Sequence, residues 1–407
     1  MNQPLQTGPA EDVQELAKRV RAFVDQRILP REAELAGPRE RARACQQALS
    51  AEAREQGLWG LFYPGRMSSL ESYLRVAEQE GRSEYGGAIF GTELALDAHM
   101  LTRHAATQVR ADFLAPLLSG EGVSAYGMSE PDSIGSIPAT IATTATAQGD
   151  HWRLDGRKWF ICRADRATFV TLVARTEGAG VDGALSMFLV PTDLPGFSIA
   201  REMDILGRFQ GQCEIVFDGV RVPRHNLLGQ PGAGLALMQE RLGLGRLLRA
   251  VHWLGLAQRS FDLMCTRIRG PRGPRGQQAR LGDKQLVRLR VFEAYQAIAS
   301  ARGLLRDAAC KFDAGLANAV EVNVSKVAAS QALSLTVDSA IQVYGAEGLS
   351  SLTPLSGIYR AARATHILDG TDDALVSAVG RRLLDAYQDV DSLDFDWPSL
   401  PATPTAP

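Results

Sequence analysis

The sequence predicts an α+β multidomain fold: an N-terminal α-helical domain, a middle antiparallel β domain and a C-terminal domain of the four-helix-bundle type. Two observations carry this. Apolar residues recur at spacings of three and four through the first third of the chain and again beyond Gly234. Between these regions lie about a hundred residues of short, alternating segments rich in Thr, Val and Ile, punctuated by turn residues. No helical pattern separates these segments, which argues against a parallel, doubly wound sheet. The expected boundaries are 1–121, 122–233 and 234–388, followed by a Pro-rich tail, 389–407.

In the first domain Val13, Leu16, Val20, Phe23, Val24 and Ile28 keep the helical period, and the pattern stops before Pro30. Further helical runs are ALSAEAREQGLWGL, SSLESYLRVAEQEGRS and TRHAATQVRADFLAPLLSGE. The middle domain offers TIATTATAQ, HWRLDGRKWFI, ATFVTLVART, LSMFLVP and EIVFDGVRVP as strands, with turns at Gly149-Asp150, Asp155-Gly156 and Pro195-Gly196. In the last domain QLVRLRVFEAYQAIASARGLLRDAACKF reads as one long helix. AVEVNVSKVAASQALSLTVDSAIQVYG, rich in Ala and Val, reads as a buried one.

Composition narrows the function classes. The chain has 407 residues, 45% of them apolar and 22% charged, enough for a sizeable core and two to three domains. A net charge of −2 gives no general attraction to nucleic acid or anionic membrane, and neither is an expected partner. No window approaches the ~20 apolar residues of a membrane span, and the N-terminal stretch lacks the pattern of a secretory signal. The five cysteines are scattered without CxxC pairs, as reduced thiols in a cytoplasmic protein would be. No histidine or cysteine spacing suggests a metal site.

Several segments carry chemical interest, and each alone also has an ordinary explanation. Gly232-Ala233-Gly234 and Gly243-Leu244-Gly245 follow no strand of a βαβ unit, so a dinucleotide loop is not supported. The basic stretch 267–280 suits either phosphates or a solvated loop. QVYGAEG, 342–348, is a Gly-rich helix end that could approach a diphosphate or simply cap a helix. SEPDSIGS, 129–136, lies where helix gives way to sheet, and KWFIC, 158–162, is an aromatic strand segment. THILDGTDDA, 365–374, places three acids within five residues beside a glycine.

Taken in order, these segments resemble the acyl-CoA dehydrogenase family. SEPDSIGS resembles the family's Thr/Ser-Glu-Pro loop, and GDHWRLDGRKWFI (149–161) resembles the strand that follows it. FDGVRVPRHNLLG (217–229) matches the signature that closes the β domain, and QVYGAEG with Tyr359-Arg360 resembles segments near the family's end. The resemblance runs from about residue 11 to 385, and it implies an FAD-dependent enzyme that forms a 2,3-unsaturated thioester.

Asp369-Gly370-Thr371 occupies the place of the family's Glu-Gly-Thr, whose carboxylate takes the α-proton. It is closer to branches with Asp-Gly-x-Asp-Glu. The resemblance implies that Asp369 is the base, with Ser136, Arg246 and Gly370 on the thioester. It places Tyr126, Met128 and Ser129 along the flavin ring, with Phe160 and Cys162 beside it. Cys162 stands where a Ser or Thr hydroxyl usually reaches flavin N5, and a thiol is the poorer donor. Gln342, Gly345 and Ala346 match the segment that receives the diphosphate from a neighbouring subunit, implying a homodimer or homotetramer. Thr371 and Asp373 would lie near that diphosphate. Arg275 would supply charge in a loop whose usual Phe and Gly are absent, and Ile137 replaces the usual acid of the Glu-Pro loop.

An Asp base raises a chemical demand. A free Asp has a pKa of about 3.9, so burial against flavin and acyl chain is expected to raise it. The expected substrate is an acyl-CoA or acyl-carrier-protein thioester, and the expected electron acceptor an electron-transfer flavoprotein. The alternatives are an acyl-carrier-protein thioester oxidase or dehydrogenase, a flavin monooxygenase of a biosynthetic pathway, and a non-catalytic scaffold that binds through 267–280.

Overall fold

A computed structural model describes residues 12–67, 69–135, 137–270 and 280–388. Ser136, Arg275, most of the basic stretch and the tail 389–407 lie outside the described residues. The chain divides into two compact units. A helical unit joins Met1–Thr92 to Gly243–Pro407, and a second unit, Glu93–Leu242, holds the sheet.

In the helical unit, the helix Val13–Phe23 begins where the Asp12 side chain accepts from the Gln14 N–H, and it buries Leu16, Val20 and Phe23. A π-helical turn, Val24–Ile28, and a 3₁₀ turn, Leu29–Arg31, carry the chain past Pro30, so its apolar stripe continues through the buried Val24 and Ile28. The helix Leu70–Glu80 is capped by Ser69, and its first amides, Leu70 N and Glu71 N, also donate to Asp313 at 2.8 and 3.0 Å. The long helices Gln285–Asp313 and Ala319–Tyr344 pair with each other. Ala319–Tyr344 also packs against Leu355–Thr365 and Asp372–Ala386. Its buried residues are mostly small (Ala329, Ser330, Ala332, Ser339, Ala340), which lets three neighbours approach closely.

The second unit opens with the helix Ala95–His104 and short helical turns to Ser119. Eight strands then form one sheet among the described residues: β1 Ser124–Gly127, β2 Thr144–Gln148, β3 His151–Ile161, β4 Phe169–Glu177, β5 Leu185–Pro191, β6 Phe197–Ile205, β7 Arg208–Pro223 and β8 Leu227–Leu228. Their order is β6-β7-β3-β2-β4-β5-β8, with β1 beside β4. Most pairings are antiparallel, whereas β1 and β2 run parallel to β4. The parallel pairs arise because β3 lies on the far side of β2, so the chain crosses back before laying down β4. Trp152, Leu154, Val170, Leu172, Phe188, Val190 and Phe217 form the core of this sheet. β6 is mostly exposed and pairs in the sheet with β7.

Candidate active site

The turn that joins the helix Leu355–Thr365 to Asp372–Ala386 holds Asp369, Gly370 and Thr371. Asp369 has φ 56° and Gly370 φ 96°, both in the left-handed region. Asp enters that region more readily than most L-residues because its short side chain can bond locally, and Gly enters it freely. A Cβ on Gly370 would stand 3.2 Å from Arg246 Nη2, so the glycine also makes room for a guanidinium. Thr371 is the N-cap of the last helix, its Oγ1 accepting from Ala374 N at 3.3 Å. Asp372 and Asp373 occupy the first helical turn, where the helix dipole favours acids.

Two cations, the half-buried Arg246 and the buried Lys326, hold this turn by its backbone. Arg246 Nε donates to the Asp369 carbonyl at 2.9 Å, and its Nη1 donates to Asn323 Oδ1 at 3.0 Å. Burial lowers the pKa of this guanidinium, and Asp369 opposes the shift. Lys326, fully buried, donates to the Gly370 carbonyl at 2.9 Å and to Asp372 Oδ1 at 2.6 Å. Asp372 Oδ2 accepts from Ser330 Oγ at 2.8 Å and lies 2.6 Å from His366 Nδ1, whose Nε2 is 2.7 Å from Ser334 Oγ. The carboxylate of Asp369 stands apart from this network. Its Oδ2 is 3.7 Å from Arg249 Nε, longer than a hydrogen bond, and its side chain is 24% exposed.

Sequence reasoning missed Lys326, Asp372, His366 and Ser330. One signal was present, since SKVAAS sets a lysine within a short run of small and apolar residues inside a helix. A lysine there is rarely buried without a partner.

The sheet unit collects a second set of candidate residues. Tyr126 ends on β1 with its ring 3.8 Å from the Arg241 guanidinium; its hydroxyl is buried without a hydrogen-bond partner. Burial pushes that phenol up, against the pull of Arg241. Arg241 is itself paired with the buried Asp97 at 3.1 Å. Met128 and Ser129 are half-buried and tied to β3: Lys158 Nζ donates to the Met128 carbonyl at 2.9 Å, and Trp159 N donates to the Ser129 carbonyl at 3.0 Å.

Lys158 is fully buried beside Glu130, 2.7 Å away, and burial brings its pKa down to about 8 while Glu130 opposes the shift. The β3–β7 register breaks between Lys158 and Ile161, and within that break Phe160 adopts φ 51° with a ring 41% exposed. Cys162 Sγ accepts from Gln212 Nε2 at 3.8 Å.

Gln342, Gly345 and Ala346 are exposed at the end of the helix Ala319–Tyr344. Gly345 has φ 68°, and a Cβ there would meet open space. Within the helical unit the fold therefore brings Asp369, Gly370, Thr371 and Arg246 together. Within the sheet unit it joins Met128 and Ser129 to the segment of Phe160 and Cys162. Asp373 is exposed on its helix. Among the described residues no cluster of three or more His, Cys, Asp or Glu is placed to hold a metal ion, and no helix is long and apolar enough to cross a membrane.

Comparison with known proteins covers nearly the whole chain. The N-terminal, middle and C-terminal domain models of acyl-CoA dehydrogenase match residues 10–121, 125–220 and 232–384. The probable acyl-CoA dehydrogenase FadE2 of Mycobacterium tuberculosis (strain ATCC 25618 / H37Rv) is 35% identical over 82% of this chain and 84% of its own length. Mouse (Mus musculus) acyl-CoA dehydrogenase family member 11 is 31% identical over 90% of this chain, which spans only 50% of that larger protein. The crystal structure of a probable acyl-CoA dehydrogenase from Mycobacterium abscessus ATCC 19977 / DSM 44196 superposes with a TM-score of 0.79 at 25% identity, covering 91% of this chain and 98% of that one. The chain thus belongs to the acyl-CoA dehydrogenase family, FAD-dependent flavoprotein oxidoreductases that act on CH–CH groups.

Proposed function

We propose that this protein dehydrogenates an acyl-CoA thioester between its α and β carbons, with Asp369 as the base that removes the α-proton. The observation that carries the assignment is how the fold sorts three neighbouring acids. Asp372 spends both oxygens on Lys326, Ser330 and His366. Asp373 sits exposed in the first turn of a helix. Asp369 keeps its carboxylate out of that network, while Arg246 fixes its backbone. Its backbone is held and its side chain remains available, as a general base requires.

The residues present fit a flavin. The register break in β3 exposes the Phe160 ring, and Met128 and Ser129 offer a fixed backbone strip beside that segment. Gln342, Gly345 and Ala346 present an open surface suited to a diphosphate, so the reading includes a homodimer or homotetramer in which one subunit serves its neighbour. FAD, when bound, supplies the redox step by accepting hydride from the β-carbon. The chain's own work is to orient the thioester beside Asp369, with Gly370 and Arg246 flanking it, and to take the α-proton on the Asp369 carboxylate. The electrons then pass to an electron-transfer flavoprotein.

The test is an anaerobic titration of the flavoprotein with butyryl-, octanoyl- and palmitoyl-CoA. Bleaching of the oxidised flavin supports dehydrogenation. The Asp369→Asn variant should keep its flavin and lose about 10²–10⁴-fold in reduction rate. A parental rate in that variant removes Asp369 from the mechanism.

A further inference from the structure

Lys326 lies 43 residues before Asp369, yet it reaches the turn that carries the candidate base. Its ammonium bonds the Gly370 carbonyl and Asp372 Oδ1, the two groups on either side of Thr371. Trp253 covers it, with the ammonium 5.5 Å from the ring centroid. Asp372 is in turn pinned by Ser330 and by His366, and Ser334 pins the far side of the His366 ring. Asp372 N also donates to the His366 carbonyl at 2.9 Å, closing the loop 366–372 on itself. Three of these groups (Lys326, Ser330 and Ser334) lie at spacings of four on one face of the helix Ala319–Tyr344.

The left-handed conformation at Asp369 is costly for a residue with a Cβ and persists only where its surroundings over-determine it. The turn's own residues permit this shape, and bonds from this helix hold it. We propose that Lys326 and Asp372 are positioning residues that fix the direction of the Asp369 carboxylate, through a clamp in which His366 and Ser330 hold Asp372 in place. This inference rests on the assignment of Asp369 as the base. A misplacement of a reacting group by about 1 Å is enough to cost about 100-fold in rate.

The test uses the flavoprotein and two variants, Asp372→Asn, which keeps the shape of the side chain, and His366→Gln, which removes the imidazole further from the turn. Three quantities are read: flavin reduction by butyryl-, octanoyl- and palmitoyl-CoA, the concentration of acyl-CoA at half-saturation, and hydrogen–deuterium exchange of peptides spanning 366–375. The expected result for Asp372→Asn is a reduction rate lower by about 10–100-fold. Half-saturation and flavin content should stay near parental values, and exchange should rise in 366–375 alone. His366→Gln should move the same way by less.

Parental rates and parental exchange in both variants overturn the proposal. Exchange that rises throughout the helical unit, with flavin lost, overturns it too, since it shows a role in general stability. Asp369→Asn, measured in parallel, separates this outcome from failure of the base assignment. If that variant stays active the base is elsewhere, and the exchange data alone still report whether Asp372 and His366 order the turn.

Discussion

Lys158 in the sheet unit and Lys326 in the helical unit solve one problem with different materials. Each is fully buried, and each holds a backbone carbonyl together with the carboxylate two residues further on: Met128 and Glu130 for Lys158, Gly370 and Asp372 for Lys326. The difference lies in what else grips the carboxylate. Glu130 also accepts from the backbone N–H groups of Ala142 and Thr143, at 2.7 and 2.9 Å. Asp372 is held by the side chains of Ser330 and His366. Backbone amides cannot rotate away, whereas hydroxyls and imidazoles can. The first arrangement fixes a segment, and the second can be loosened one side chain at a time.

The comparison can be broken at several points. Glu130→Ala should have the largest effect, because it leaves a buried cation without its counter-ion and takes the acceptor from the buried Thr143 amide and the Ala142 amide. A loss of about 5 kcal/mol or more is expected in denaturant melts. A loss below about 1 kcal/mol would show that the sheet-side clamp is not rigid.

The second test is pH. The pKa of Lys158 is brought down to about 8 in the fold, below the ordinary lysine value of 10.5. Between these two values the unfolded chain binds more protons than the folded one, so the Lys158 contribution to stability rises with pH across that window, by about 3 kcal/mol at full extent. Lys158→Met should lose this rise, which melts at pH 8 and pH 10 would reveal.

Asp372→Asn removes a charge but keeps the shape, and its neighbours are side chains that can re-pair. About 1.5–3 kcal/mol is expected, less than for Glu130→Ala. A reversed order would contradict the contrast drawn between the two clamps. Ser330→Ala should cost least, about 1 kcal/mol, because His366 still holds the same carboxylate oxygen.

The sequence foretold different parts of the molecule unequally. Strands β3 and β5 match their expected segments residue for residue, since each alternates or runs apolar between clear turn residues. β6 escaped notice because FSIAREMDI faces solvent along nearly all its length, and an exposed strand need not alternate. β1 and β8 are too short to show any period. At the candidate site the segment Asp369-Gly370-Thr371 stood out only through the family resemblance, and the capping of the following helix by Thr371 was not foreseen. The clamp was not, because Lys326 and Ser330 stand more than 40 residues from Asp372, and only folding brings them together. Burial of the Asp369 side chain was expected, and within the described chain it stays 24% exposed.

The helix Ala319–Tyr344 carries Lys326 near one end and Gln342 near the other. Sixteen residues of α-helix separate them by about 24 Å along a nearly rigid rod. On the functional reading, one end steers the acid–base turn and the other meets a neighbouring subunit's cofactor. A slip of this rod along its axis would be felt at both ends at once. On that same reading, mutations that adjust subunit docking would trade against proton abstraction. The dense packing of small residues along the rod's middle is then a constraint on evolvability as well as a contribution to stability.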